Sequence, residues 1–263
     1  MNTSTTPATE PAPSSFAGRV ALVTGGAGAI GRATARALAA GGATVIAADI
    51  DGFDTGRDAS DAFSEVRLDV TSKSDVTALV ARTVAAHGRI DLLVNVAGVI
   101  SHGSARDLGE AEWDRVLAIN LKGTFLCCQA VMPVMTARRY GRIVNIGSVV
   151  GKNGGNARPW LDAGEQLRSG NVAYGVSKAG VHAMTAFLAK ELAVHGVTVN
   201  AVAPGPVATT MIANYPQALR ALVPVGRMGT LDDVIDAVLF LLSERCGYIT
   251  GEVLDVNGGM WCD

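Results

Sequence analysis

Short runs of β-branched and aliphatic residues alternate along the chain with longer segments whose apolar residues recur every three or four positions. The short runs predict buried strands, and the longer segments predict amphipathic helices. The predicted strands are 19–24, 44–49, 66–70, 90–95, 142–146, 198–202 and 252–256. The predicted helices are 30–40, 74–87, 110–138, 173–195 and 230–243. This alternation indicates parallel βαβ units, so we expect one doubly wound α/β domain: a seven-stranded parallel sheet with helices on both faces.

Composition and charge narrow the class of protein. Hydrophobic residues make up 49% of the 263 positions and charged residues 17%, which excludes fibrous and extensively disordered chains. The formal net charge is −2 and no segment concentrates basic residues, so nucleic acid is not an expected partner. The four cysteines and four histidines show no metal-ligand spacing, and we predict no metal site.

The beginning of the chain has a different composition from the rest. Residues 1–15 are mainly Thr, Pro, Ser and Ala, without the basic end or apolar run of a signal peptide. We expect a disordered tail there and a single domain over residues 16–263. The apolar runs are strand-length or interrupted by polar residues, short of the ~20 that cross a bilayer. We therefore expect a soluble, cytoplasmic protein with no membrane partner.

A glycine-rich turn follows the first predicted strand and leads directly into a helix. Its sequence from Thr24 to Gly31 is TGGAGAIG. In this setting the glycines let the backbone approach a pyrophosphate, which the helix N-terminus would bind, so the sheet is predicted to be of the Rossmann type. The alternative is a tight turn with no ligand. The candidate cofactor-binding residues of the turn are Gly25, Gly28, Ala29, Ile30 and Gly31.

Asp49 ends the second predicted strand, at the distance from the glycine turn that a ribose-binding acid requires. Its carboxylate can accept hydrogen bonds from both ribose hydroxyls of adenosine and would repel a 2′-phosphate. The neighbouring Ile50 and Asp51 offer no basic group that would pair with such a phosphate. The sequence therefore favours NAD over NADP, with a solvated turn residue as the alternative role for Asp49.

Tyr174 and Lys178 are four residues apart in a predicted helix and therefore share one face. An ammonium group at that spacing can lower the pKa of the phenol from its usual value near ~10. Oxidation of an alcohol requires a base for the hydroxyl proton while hydride leaves the carbon, and it requires no metal. Alone the pair means little, since a tyrosine four residues before a lysine also arises by chance. The residues that accompany it decide whether it belongs to an oxidoreductase.

Further polar residues follow in one order along the chain, each at a strand end or on a facing helix. The complete series is the glycine turn, Asp49, Asp69-Val70, Asn95 to Gly98, Asn120, Ser148, the Tyr174 and Lys178 pair, and Pro204-Gly205 with Thr209. In this series residues 16–260 resemble the classical short-chain dehydrogenase/reductase family.

The resemblance implies a role for each of these residues. Tyr174 would be the general acid/base, and Lys178 would bind the nicotinamide ribose and assist it. Ser148 would hold the substrate oxygen, and Asn120 would anchor a water for proton relay. The other cofactor residues that it implies are Ile50, Asp69 and Val70 at the adenosine end, Asn95, Ala97 and Gly98 along the cleft, and Pro204, Gly205, Val207 and Thr209 at the nicotinamide carboxamide.

The segment between Ser148 and Tyr174 is longer than the family pattern by roughly a dozen residues. The additional residues fall within about 151–171, a polar stretch with a predicted short helix over 162–169. The insertion is either a lid that shapes a polar substrate pocket, or surface decoration or an intersubunit contact. The candidate substrate residues are Ser148, His102, Arg158, Trp160 and Met211, whereas His87, His182 and His195 are predicted surface or interface residues.

Three functions stay open from the sequence. The first is an NAD-dependent dehydrogenase for a polar secondary alcohol (a sugar, sugar acid or polyol), which Asp49 and the polar insertion favour. The second is a 3-oxoacyl-thioester reductase for substrates carried by an acyl carrier protein or coenzyme A; it normally uses NADPH, so Asp49 weighs against it. The third is a non-catalytic nucleotide-binding scaffold. The alanine-rich faces of helices 110–138 and 173–195, with the family resemblance, imply a homo-oligomer, either tetramer or dimer.

Overall fold

The structure is a computed structural model, and it describes residues 16–53, 63–155, 162–169, 171–208 and 221–262. The strands are β1 (Val20–Thr24), β2 (Thr44–Asp49), β3 (Phe63–Arg67), β4 (Leu92–Asn95), β5 (Gly141–Ile146), β6 (Val197–Pro204) and β7 (Val253–Val256). The helices are α1 (Ala29–Ala40), α2 (Lys73–His87), α3 (Glu110–Leu117), α4 (Thr124–Arg138), α5 (Val150–Asn153), α6 (Ala163–Ser169), α7 (Val172–Leu192) and α8 (Leu231–Leu242).

The seven strands form one parallel sheet in the order β3-β2-β1-β4-β5-β6-β7. The chain first proceeds from β1 outward to β3 and then returns to the other side of β1 with β4. Ligands of doubly wound sheets bind at the carboxyl ends of the strands where the order reverses in this way. The predicted fold class is therefore confirmed, and the expected binding position lies between β1 and β4.

Helices cover both faces of the sheet because successive strand residues point to opposite sides. In β1, Val20 and Leu22 belong to the hydrophobic layer that α2, α4 and α7 complete. Ala21 and Val23 belong to the opposite layer, completed by α1 and α8. A sheet buried on both faces requires nearly continuous apolar strands, which is the pattern that the sequence shows.

The predicted third strand is displaced from its true position. The sequence places it at 66–70, whereas β3 ends at Arg67. The chain leaves the sheet there because Asp69 forms a turn: its Oδ1 accepts hydrogen bonds from the N–H of Thr71 at 2.9 Å and the hydroxyl of Thr71 at 2.7 Å. Asp69 and Val70 thus lie just beyond the strand end. The short helix predicted over 162–169 is present as α6, where the N–H of Glu165 donates to Asp162 Oδ1 at 2.7 Å.

The predicted helix 110–138 consists of three parts. A π-helical segment, Ala118–Gly123, separates α3 from α4 without interrupting the helical path. By length and composition alone the 29 residues Glu110–Arg138 could cross a membrane, which corrects the expectation that no such stretch is present. In the fold, α4 packs against β4, β5, α2 and α7. This packing in the core accounts for its apolar composition.

We expect Leu93→Ala to reduce the free energy of unfolding by about 2–5 kcal/mol, the range for truncating a fully buried leucine. Leu93 lies in the central strand β4 and is 0% exposed. Urea denaturation of both proteins measures the difference. Ser64→Ala, on the exposed face of the edge strand β3, is the control and should change the stability by less than about 0.5 kcal/mol. A loss in Leu93→Ala as small as that of the control would contradict a close-packed layer.

Candidate active site

A cavity of about 970 Å³ extends along the carboxyl edge of the sheet. One end is lined from β2 and the turn after β3, and the other end is lined from β5, β6 and α7. The predicted cofactor residues that line it are Gly25, Gly28, Ala29, Ile30, Asp49, Ile50, Asp69, Val70, Ala97, Gly98, Tyr174, Lys178, Pro204, Gly205 and Val207. Its size and length suit an extended dinucleotide together with a small substrate.

The glycine turn packs tightly against the loop after β4. Gly25 has a φ of +66°, and a Cβ there would lie 2.6 Å from the backbone nitrogen of Ala97. A Cβ on Gly31 would lie 2.0 Å from the carbonyl oxygen of Gly25, so Gly31 lets α1 approach the turn and is not itself a lining residue. Gly28 precedes α1 and provides no side-chain cap. The first N–H groups of α1 therefore face the cavity, as a pyrophosphate site requires.

Asp49 is held in place by two backbone groups. Its Oδ2 accepts a hydrogen bond from the N–H of Ala27 at 3.0 Å, and its Oδ1 accepts one from Asp51 at 3.1 Å. Among the lining residues that the structure describes, the basic ones are Arg115 and Lys178, and Arg115 forms a two-point ion pair with Glu112. The carboxylate of Asp49 thus fits a ribose diol, and its surroundings are negative. Together with the glycine turn, it fits the adenosine diphosphate part of a nicotinamide dinucleotide.

Asn95 does not line the cavity, although the resemblance places it along the cofactor cleft. Its side chain is buried within the sheet and donates to Asn145 Oδ1 at 2.8 Å. Asn145 in turn donates to Thr185 Oγ1 on α7 at 3.0 Å. Asn95 therefore connects β4 through β5 to α7. The cleft loop itself is held by Thr24, whose hydroxyl accepts from the N–H groups of Val96 and Ala97 at 3.2 and 3.3 Å.

The structure brings Ser148, Tyr174 and Lys178 together at one end of the cavity. Ser148 follows β5, and its hydroxyl is near enough to the phenol of Tyr174 on α7 to lower the pKa of that phenol. Lys178 lies one turn farther along α7, with its Nζ 5.8 Å from the centroid of the Tyr174 ring. The ammonium donates to the carbonyl oxygen of Ile146 at 2.7 Å. The three side chains are thus positioned from two elements that pack on each other.

Burial controls the protonation of this group. It raises the pKa of Tyr174 above its ordinary value, and the hydrogen bond from Ser148 only partly opposes that rise. Burial also lowers the pKa of Lys178 to about 8. The expectation that Lys178 lowers the pKa of Tyr174 is therefore wrong for the protein without a bound cofactor. The physical reason is that the ammonium is itself buried and directed to a backbone carbonyl.

Asn120 lies in the π-helical segment and connects three parts of the site. Its Oδ1 accepts from the N–H of Val99 at 2.8 Å, and its Nδ2 donates to the carbonyl of the same residue at 2.9 Å. Its Nδ2 also approaches Ser177 Oγ at 3.0 Å, and Ser177 donates to the carbonyl of Tyr174 at 2.7 Å. Asn120 therefore positions the cleft loop relative to α7. A π-helical turn, often found at functional sites, carries it there. No role for Ser177 was predicted from the sequence, although its position between Tyr174 and Lys178 on the same helix could have indicated one.

Of the predicted substrate residues, only Ser148 is found to line the cavity among those that the structure describes. His102 is exposed and is not among the residues that line the cavity. Arg158, Trp160 and Met211, and the predicted cofactor residue Thr209, lie outside the described residues.

The structure corrects the surface or interface position predicted for His182. The ring is partly buried, and its Nε2 accepts a hydrogen bond from the backbone N–H of Ser148 at 3.3 Å.

Neither a cluster of metal ligands nor the buried thiol of Cys128 offers a second reactive centre in the described part of the chain. No group of three or more His, Cys, Asp or Glu side chains there is placed to hold a metal ion. Cys128 is fully buried beside Asn95, and burial raises the pKa of its thiol to about 12. A thiol with so high a pKa is inert at neutral pH.

Comparison with known proteins agrees with this geometry. A family model described as enoyl-(acyl carrier protein) reductase matches residues 25–261. The subunit BbsD of (2S)-[(R)-hydroxy(phenyl)methyl]succinyl-CoA dehydrogenase from Thauera aromatica is 42% identical over 252 residues, covering 92% of this chain and 96% of that protein. The 3-oxoacyl-[acyl-carrier-protein] reductase FabG of Thermotoga maritima is 39% identical over 253 residues, covering 92% and 98%.

A solved structure is similar over the same extent. The crystal structure of gox2181 superposes with a TM-score of 0.81 at 35% identity and covers 94% of this chain and 96% of that chain. Both the fold and the site define a nicotinamide-dependent oxidoreductase. The chain belongs to the classical short-chain dehydrogenase/reductase family.

The lowered pKa of Lys178 predicts a specific pH dependence of stability. Between pH 8 and the ordinary lysine pKa of 10.5, the unfolded chain binds a proton that the folded chain has released. Stability therefore rises with pH over this range, by up to about 3 kcal/mol, and Lys178→Met should lack that rise. Urea denaturation of wild type and variant at pH 7, 8, 9 and 10 measures the difference. Parallel pH curves for the two proteins would contradict the lowered pKa.

Proposed function

We propose that the protein is an NAD(H)-dependent oxidoreductase that interconverts a 3-hydroxyacyl thioester and the corresponding 3-oxoacyl thioester. The observation that carries the substrate class is the apolar wall of the cavity at its catalytic end. Two similar proteins support it, since their names specify a succinyl-CoA derivative and an oxoacyl-[acyl-carrier-protein] as substrates.

Among the residues that the structure describes, few polar side chains line the catalytic end of the cavity. The residues that β5, β6 and the loops after them contribute beside Ser148 are Ile146, Gly147, Pro204, Gly205 and Val207. The charged lining residues other than Lys178 belong to β2 and the turn after it, the turn after β3, and α3. A sugar or polyol would bury several hydroxyls here, each of which costs free energy unless it is hydrogen-bonded. An acyl chain with one reacting oxygen matches this wall better.

The preference for a sugar, sugar acid or polyol is accordingly replaced by the alternative that the sequence left open. That preference depended on the polar insertion at about 151–171. Its two named candidates, Arg158 and Trp160, lie outside the described residues and lend it no support. The names of the two relatives above specify substrates linked to coenzyme A or to an acyl carrier protein, which supports the alternative.

In this proposal the reaction depends on one proton and one hydride. Bound in this cavity, a nicotinamide ring would supply or accept the hydride. Tyr174, whose pKa burial keeps high, holds a proton on its phenol at neutral pH and donates it to the oxygen of a 3-oxo group; in the reverse direction it receives that proton. Ser148, which lines the same end of the cavity, donates to the same substrate oxygen. Lys178 supplies positive charge near the phenol while the carbonyl of Ile146 holds its Nζ.

The choice of NAD(H) follows from Asp49. A carboxylate fixed by the N–H groups of Ala27 and Asp51 accepts hydrogen bonds from both ribose hydroxyls. A 2′-phosphate would face this carboxylate and the neighbouring Asp51. Like charges at such short range oppose binding. This preference distinguishes the proposal from the usual NADPH-dependent reductases of acyl carrier protein substrates.

We expect the purified protein to reduce NAD in the presence of 3-hydroxybutyryl-CoA, measured by absorbance of the reduced nicotinamide. Tyr174→Phe should lower kcat by about 10²-fold or more, because it removes the group that transfers the proton. A panel of sugars, sugar acids and polyols under the same conditions is the comparison. Faster turnover of a polyol than of any acyl thioester would overturn the proposed substrate class.

Asp49→Asn should raise the ratio of kcat/KM for NADP to that for NAD by about tenfold, because it removes the negative charge that faces a 2′-phosphate. The amide retains an oxygen that can accept the hydrogen bond from Ala27. Initial rates with each cofactor at one substrate concentration give the ratio. Asp51→Asn, which removes the neighbouring charge, is the matched control and should change the ratio less. An unchanged ratio in Asp49→Asn would show that Asp49 does not select the cofactor.

Assembly and location stay predictions. Phe125 on α4 and Val176 and Phe187 on α7 are exposed apolar side chains, with Phe187 77% exposed. These are the two helices whose second faces predict a homo-oligomer. The cytoplasmic location likewise stays a prediction from the sequence.

A further inference from the structure

His182 lies on α7 in line with the proposed catalytic pair. Tyr174, Lys178 and His182 are spaced by four residues and so follow one face of the helix. Above this face lies the segment that joins β5 to α5, residues 147–149. The Nε2 of His182 accepts a hydrogen bond from the backbone N–H of Ser148 at 3.3 Å.

The sheet cannot provide a partner for that N–H group. The residues on either side of Ser148 continue the ladder to β6: Gly147 donates to the carbonyl of Val202 at 2.8 Å, and Val149 donates to that of Pro204 at 3.0 Å. Successive N–H groups of an extended segment point to opposite sides, so that of Ser148 points away from β6. On that side β4 has already ended, with Asn95 opposite Asn145. The imidazole of His182 therefore accepts the hydrogen bond that a carbonyl group of a longer β4 would have accepted.

Two glycines make room for the ring. A Cβ on Gly147 would lie 2.1 Å from the Nε2 of His182, and a Cβ on Gly151 would lie 3.0 Å from its Cε1. The segment therefore closes around the imidazole on both sides. Such close approach fixes the backbone of Ser148 relative to α7, the helix that carries Tyr174 and Lys178.

We propose that His182 is a positioning residue, which acts through Ser148 by accepting the hydrogen bond from its backbone N–H. The inference rests on the proposed function, in which Ser148 and Tyr174 bind the substrate oxygen. The direction of the Ser148 hydroxyl depends on its backbone, since its Oγ also accepts from the N–H of Val150 at 3.2 Å. Turning the Ser148 peptide would move the hydroxyl away from Tyr174.

Two substitutions separate the hydrogen bond from the volume of the ring. His182→Leu removes the acceptor and keeps an apolar side chain of similar size. His182→Gln places an amide oxygen where Nε2 lies and so keeps an acceptor. We expect His182→Leu to lower kcat about tenfold, with the KM for NAD unchanged, and His182→Gln to recover most of the loss. His195→Leu, about 20 Å farther along the helical stretch, is the matched control and should leave kcat unchanged.

A double-mutant cycle tests whether His182 acts through Ser148. With Ser148→Ala as the background, His182→Leu should lower kcat by less than about twofold, because the hydroxyl that it positions is gone. The same tenfold loss in both backgrounds, or no recovery with His182→Gln, would overturn the positioning role. Thermal denaturation of the variants shows whether each is folded.

Hydrogen exchange of the Ser148 amide provides a readout that needs no substrate. Mass spectrometry of peptides that span residues 147–151 should show exchange at Ser148 at least about tenfold faster in His182→Leu and close to wild type in His182→Gln. Unchanged exchange in His182→Leu would overturn the inference at its first step. If the wild type oxidises no acyl thioester, the proposed function fails, whereas the exchange result still decides whether His182 holds the Ser148 backbone.

Discussion

Because all seven strands of the sheet run parallel, every connection between strands that are consecutive in the sequence must cross from the carboxyl edge of the sheet back to its amino edge. The strands therefore all end at the same edge, and so do the turns in which the chain changes from strand to helix. Between β1 and β4 the connections diverge to opposite faces, which leaves a cleft. The glycine turn, Asp49 and Ser148 are far apart in sequence, and this constraint alone brings them to one cavity.

Polar groups buried near the centre of the sheet join that edge to α7. Asn95 on β4, Asn145 on β5 and Thr185 on α7 form one chain of hydrogen bonds. A buried amide must find its partners within the protein, so such a chain specifies one register between sheet and helix. Lys178 adds a second connection through the carbonyl of Ile146. The site is thus carried by α7, whose position the core defines. The hydrogen bond to Ile146 partly offsets the free-energy cost of burying the Lys178 ammonium group.

The sequence predicts residues whose role depends on local geometry better than residues whose role depends on distant parts of the chain. A glycine turn before a helix, an acid at a strand end, and a tyrosine four residues before a lysine each lie within one local element. His182 shows the opposite case, since its partner, the N–H of Ser148, lies in a different element and lacks a strand neighbour only because β4 ends early. Likewise, the end of β3 depended on a turn at Asp69, which apolar patterning does not register.

By itself the sequence determined the fold class, the order of the elements, and the types of residue at the carboxyl edge, because strand and helix periodicities and turn residues are local properties of the chain. Only the tertiary structure decided that Asn95 serves the sheet and not the cavity, that His102 lies outside it, and that burial governs the protonation of Tyr174 and Lys178. The position of a side chain and its protonation both depend on which atoms surround it. Desolvation and hydrogen bonding arise from contacts between residues distant in sequence, and such contacts exist only once the layers have packed.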